Sequence, residues 1–262
     1  MVGKNKKGNY TEMPHGLPDW GLVGPKDITY GLDGMGELAA RLGSPTVWDR
    51  RGDVIFFDNY EDGMGKVTVG QFGTGAHVAL TCEDAWHGAF ALKTVAASVP
   101  LDPAGRHTIH LSYPMPRPNV SNLGFEIWFG MHQYTERVGV YMAWYTTTAT
   151  IEAGVRYWND GPPYMFQYES APDIWTDIVV VPKLREYGKP IHMMKLVCNL
   201  VDKVYIRAIL DDVCYPLPGL TVPTKPFLFA PSLVPLFEHT SIRDNTSIVV
   251  VDNLVITQNE PT

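Results

Sequence analysis

The chain has 262 residues, 45% of them hydrophobic, and a formal net charge of −7. That sign argues against general nucleic-acid binding, which presents a basic face to phosphates. Three cysteines, Cys82, Cys198 and Cys214, lie far apart and fit neither a disulfide framework nor a zinc site, so reduced thiols are expected.

The opening MVGKNKKGNYTEMPHG carries Lys4, Lys6 and Lys7 with no apolar run behind them, unlike a secretory signal. No stretch reaches the roughly 20 apolar residues that span a bilayer. The expectation is a protein that is neither exported by the common secretory route nor set in a membrane. Residues 1–33 are rich in Gly, Pro and isolated aromatics and cannot build a core of their own. Trp20, Leu22, Ile28 and Tyr30 are read as anchors of an extended arm. Residues 34–52 predict a short helix and a hairpin linker: Asp33 caps, Met35, Leu38 and Leu42 share a face, and Gly43 stops the helix.

From Asp53 to the end, short segments rich in β-branched and aromatic residues alternate with Gly, Pro, Asn and Asp. They read DVIFF, HVALT, AFALKTV, RHTIHLSY, LGFEIWFGMH, VGVYMAWYT, TIEAGVRYW, YMFQYE, DIWTDIVVV, HMMKLVCNLV, KVYIRAIL, FLFAPSLVPLF and TSIVVVDNLVIT. No helical period separates them, which excludes a parallel α/β sheet. Residues 53–262 are therefore expected to form one all-β domain, an antiparallel two-sheet sandwich, which the resemblance given next implies to be a jelly roll.

Asp252 sits inside the apolar run IVVVDNLVIT, where a carboxylate needs backbone donors or a cation. The early FFDNYEDG, the EDAWHGAFALK about twenty residues on, and the terminal VDNLVIT together resemble carbohydrate-binding-module-type jelly rolls. The likeness covers about residues 54–95 and 246–257 and departs from the pattern where Tyr60 stands for Phe. It implies a structural Ca²⁺ held by Glu61, Glu83 or Asp84, and Asp252, near Gly88. Backbone hydrogen bonding of Asp252 is the alternative.

Residues 125–175 hold thirteen of the thirty aromatics, well above their share of length, and filling of the sandwich core is the alternative to a binding face for each ring. Period-two alternation puts Phe125, Ile127, Phe129 and Met131 on one face and Glu126, Trp128 and His132 on the other. Tyr141 and Tyr145 oppose Met142 and Trp144, and Arg156 and Trp158 oppose Tyr157. Trp128, Tyr141, Tyr145 and Trp158 are the candidates for stacking on a glycan or a protein partner. A glycosidase needs two carboxylates across a cleft, yet FEIWFG offers only Glu126 and TIEAG only Glu152. The expectation is a non-enzymatic protein. The histidines do not cluster at metal spacing, and Arg51-Gly52-Asp53 reads as a turn.

The stretch GMGELAARLGSPTVWDRRGDVIFFDNYEDG is similar to the start of structural proteins of tailed bacteriophages. That resemblance implies a virion protein assembled in the host cytoplasm, decorating or cementing a capsid. Its arm would dock on capsid or other virion proteins, as a homo-oligomer such as a trimer. The alternative is a carbohydrate-binding module or phage adhesin that holds a surface glycan on its aromatic face.

Overall fold

The computed structural model describes residues 51–262 except 73–74, 86–87, 97–106, 117, 119–121, 133, 187–191, 227–229 and 242–244. The expected arm with its anchors Trp20, Leu22, Ile28 and Tyr30, and the helix of 34–43, lie outside the described residues.

The described residues form strands β1 (Asp53–Asp58), β2 (Thr68–Phe72), β3 (His77–Thr81), β4 (Ala91–Ala96), β5 (His107–Ser112), β6 (Asn122–Met131), β7 (Thr135–Tyr145) and β8 (Thr150–Trp158). They continue as β9 (Tyr164–Ala171), β10 (Ile174–Val181), β11 (His192–Asn199), β12 (Val204–Leu210), β13 (Val213–Pro216), β14 (Thr224–Lys225), β15 (Ser232–Ser241) and β16 (Ser247–Gln258). Every ladder between them is antiparallel. The first sheet runs β13-β12-β11-β6-β16-β4-β3, with β1 also on β16. The second runs β10-β9-β8-β7-β15-β5-β2, with β14 on β8. This is the two-sheet antiparallel sandwich that the strand pattern predicts.

The core lies between the sheets and follows the alternation. Phe125, Ile127 and Phe129 of β6 meet Val138, Val140 and Met142 of β7, and all six are fully buried. β16 keeps both its halves apolar toward this core by a bulge. Val251 pairs with Phe129 but Leu254 pairs with Ile127, so one extra residue enters at Asp252–Asn253 and the facing parity changes. The acid in the apolar run is thus the product of that bulge.

Among the described residues, polar side chains of Tyr60, Tyr205 and His239 cross the core. The Tyr60 hydroxyl meets the Tyr113 hydroxyl at 2.9 Å, a use for the phenol that replaces Phe in the expected pattern. The Tyr205 phenol of β12 reaches across to β8 and β9, donating to Glu169 O at 2.8 Å and accepting from Gly154 N–H at 3.1 Å. His239 of β15 stands between Thr94 Oγ1 at 2.9 Å and Ser247 Oγ at 2.8 Å, on the opposite sheet.

His239 is fully buried, and loss of solvent drops its imidazole to about 3. In the unfolded chain it titrates near 6.5. The folded value is depressed, so the stability it contributes is complete above about 6.5 and drains away as pH falls toward 3. Urea unfolding midpoints should therefore decline from pH 7 to pH 4, and His239→Gln should flatten that part of the profile.

Candidate functional site

The outer face of the second sheet carries a cleft of about 440 Å³ that crosses β10, β9, β8, β7, β15 and β5. Its floor begins with two glycines. Gly139 and Gly154 lie on β7 and β8, and Gly154 is the cross-strand partner of Tyr141. A Cβ on Gly154 would come within 2.7 Å of the Tyr141 ring, and one on Gly139 within 3.1 Å. The missing side chains let the Tyr141 ring lie across the strands, and burial pushes its phenol well above the ordinary range. Trp175 of β10 meets that ring edge-on, centroids 5.6 Å apart.

One end of the cleft is cationic and aromatic. The Arg156 guanidinium sits 4.0 Å from the Trp175 ring centroid and 4.7 Å from that of Trp158, held between two indoles. Its Nε donates to Gln167 Oε1 at 2.8 Å, and Gln167 in turn donates to Asp177 at 2.7 Å. Beside it, Arg137 Nε donates to Glu238 Oε1 at 2.6 Å, and His110 Nε2 lies 3.2 Å from the other Glu238 oxygen. Burial alone would raise Glu238, but the His110 and Arg137 contacts more than offset it and hold the carboxyl at about 2.

The other end is acidic. β9 leaves β8 after Tyr168↔Val155, and β8 then pairs with β14 through Thr224↔Ile151 and Lys225↔Thr150. This exchange brings Lys225 among carboxylates: Nζ lies 3.1 Å from Glu152, 3.5 Å from Glu169 and 3.8 Å from Asp173. Burial lowers the Lys225 ammonium and the carboxylates raise it further, leaving it above its usual value. Glu169 is 1% exposed, and burial lifts its carboxyl to about 7 in spite of the Asp173 N–H and Lys225. Tyr145 stands at this end, its phenol raised by burial and by Glu152.

Of the predicted aromatics, Tyr141, Tyr145 and Trp158 line this cleft. Trp128 does not. It lies on the outer face of the first sheet, packed with Met193 and Ile209 and 3% exposed, and its Nε1–H donates to Glu126 Oε1 at 2.9 Å. The alternation places it opposite the core correctly, but β6 belongs to the other sheet. Glu126 is removed from the cleft for the same reason. Sequence reasoning passed over Trp175, Arg137, Arg156, His110, Glu169, Lys225 and Glu238 as site residues. The parity of Trp175 within IWTDIVVV was the available signal.

The acids named for calcium have separate partners. Glu61 Oε1 accepts the N–H groups of Ala89 at 2.7 Å and Phe90 at 2.9 Å. Gly88, at φ +83, makes room: a Cβ there would collide with the Glu61 carboxylate. Glu83 lies 3.6 Å from Lys93 and Asp84 3.8 Å from His132, while Asp252 is buried in the β16 bulge. Among the described residues no group of three His, Cys, Asp or Glu side chains gathers as metal ligands.

No protein-family model matches this sequence, and no curated protein matches it. Solved structures do share the fold. An endo-β-1,4-glucuronan lyase from the fungus Trichoderma reesei is similar over 79% of this chain and 96% of its own, at 12% identity and TM-score 0.51. The carbohydrate recognition domain of Emp47p is similar over 80% of this chain and 99% of its own, at 9% identity and TM-score 0.50. A carbohydrate-binding module of the β-sandwich superfamily aligns with 80% of this chain at 14% identity and TM-score 0.42, and this chain spans 64% of its length. At such identities the likeness of the first two concerns the fold alone, and it agrees with the jelly-roll expectation.

Two variants test the local readings. Glu61→Ala should cost about 1 kcal/mol, since the carboxylate is exposed. The loss should be the same in calcium and in EGTA when melting temperatures are compared. Gly154→Ala should displace the Tyr141 ring, seen as a change in near-ultraviolet circular dichroism with only a small change in melting temperature.

Proposed function

We propose that this protein binds a glycan in the cleft on the outer face of the second sheet. The observation that carries this reading is the Tyr141 ring laid across Gly139 and Gly154, flanked by Trp175 and Trp158 and bordered by paired charges. Aromatic faces stack on the C–H faces of a sugar ring. Carboxylates, guanidinium groups and the His110 imidazole meet its hydroxyls with hydrogen bonds. A volume of about 440 Å³ falls within the range of about 300–1,000 Å³ usual for a small-ligand site. The fold shared with the Emp47p carbohydrate recognition domain supports the same reading.

Capsid decoration, the other expectation from the sequence, draws on the arm of residues 1–33 and the likeness of residues 34–63, most of them outside the described residues, and on nothing in the cleft. The same holds for docking on virion proteins and for a trimer.

A glycan array followed by calorimetry on the purified protein tests the reading. Binding should fall at least about tenfold, roughly 1.4 kcal/mol, in Trp175→Ala. Trp128→Ala should leave affinity unchanged while lowering stability by about 3–5 kcal/mol, because that indole is buried on the opposite face. Equal affinity in wild type and Trp175→Ala, or no binding to any glycan, would overturn it.

A further inference from the structure

We propose that the glycan is acidic, and that an anionic substituent of its sugar is taken up at the Arg137–Arg156 end of the cleft while the ring that bears it lies along Tyr141. This rests on the glycan-binding reading and names the class of sugar.

The strand register arranges the outward side chains of β8, β7 and β15 in rows. The first row is Arg156, Gly139 and Glu238, and the second is Gly154, Tyr141 and Leu236. The third begins with Glu152, paired with Ala143. Arg137, paired with Trp158, lies one row beyond the first. Successive rows are two residues apart, about 7 Å, so Arg156 and Glu152 stand roughly 13 Å apart along β8. The uncharged middle row separates a cationic end from an acidic one.

At the cationic end the two guanidinium groups are held differently. Arg137 spends its Nε on Glu238, at 2.6 Å. Its Nη groups make no hydrogen bond among the described residues, and the side chain lines the cleft with 13% of its surface exposed. Glu238 also meets His110 at 3.2 Å, so its charge is divided between two partners and Arg137 is fixed by one edge only. The other edge of the fork is shaped for two oxygens of an anion, and its position out of bulk water strengthens that attraction. Arg156 gives its Nε to an amide oxygen, that of Gln167, and two indoles hold its plane, so it brings a second positive charge to this end.

Tyr141 leads from the middle row to these groups. Gly139 carries no Cβ to stop its ring, and the charges of Glu238, Arg137 and Arg156 all act on its phenol. A sugar ring lying along Tyr141 therefore has its substituents beside Arg137 and Arg156. At the opposite end Glu152, Glu169 and Asp173 gather around the single ammonium of Lys225. An anion is drawn to one end and repelled from the other, which fixes the direction in which the chain lies.

The experiment measures binding of the full chain to polyuronates, sulfated galactans and acidic bacterial capsular polysaccharides, with neutral glucans, mannans and galactans alongside. Each acidic polymer that binds is tested again after carboxyl reduction or desulfation, which tells a carboxylate from a sulfate ester. The polymers that bind should be acidic. Removing the anionic group should weaken binding at least about tenfold, a result read on the wild-type protein and independent of whether any variant folds. Arg137→Met should weaken it by a similar factor, and the two losses together should be no larger than either alone. Binding confined to neutral glycans and lost in Trp175→Ala overturns the acidic assignment and leaves the glycan reading standing. Affinity unchanged by carboxyl reduction and by desulfation does the same. Binding of acidic polymers that Arg137→Met leaves unchanged overturns the assignment as well. A panel in which nothing binds overturns both readings.

Discussion

Between β8 and β9 the ladder is interrupted at Gly154 and Glu169, and the phenol of Tyr205, sent across the core from the other sheet, fills the gap. One hydroxyl satisfies a donor on one strand and an acceptor on the next, so neither strand has to close on the other. Everything at the acidic end of the cleft depends on that interruption. β9 is free to turn away, β14 takes its place beside β8, and Lys225 arrives between Glu152 and Glu169. A continuous ladder would have left a flat polar face. The interruption makes a hollow with a buried acid at its edge.

The two ends of the cleft use charge differently. At the Arg137 end, Glu238 is buried between His110 and Arg137, and their hydrogen bonds and attraction win over the loss of solvent. At the Lys225 end, one cation is shared among three carboxylates, and for Glu169 burial wins. The same residue type is therefore held as an anion in one place and near the midpoint of its titration in the other. Environment assigns the roles, and the distance between the two ends is only a few strands.

Much of the sandwich is legible in the alternation of its strands, because each β residue must face either the core or the outside. Phe125, Ile127 and Phe129 face inward, and Tyr141, Tyr145 and Trp158 outward, as the period of two requires. Three strands escape that reading for local reasons. β2 carries Gly70 at its centre, β13 ends on Pro216, and β14 is two residues long. The site is less legible. Alternation puts Trp128 and Tyr141 on outward faces alike, but only the strand order shows that those faces belong to opposite sheets. Glu169 looks like any strand acid until Tyr205, thirty-six residues away in sequence, reaches its carbonyl. Asp252 presents the opposite case, since its place in an apolar run announced a special environment, and a bulge is what produced it.

Lys225 reaches the cleft from a two-residue strand in the connection between β13 and β15, not from a strand of the main sheets. The residues that hold the sandwich together and the residue that sets the charge at one end of the cleft thus answer to separate constraints. That connection can change length or sequence while the core stays as it is, so what the cleft prefers is free to drift over generations without the fold being rebuilt.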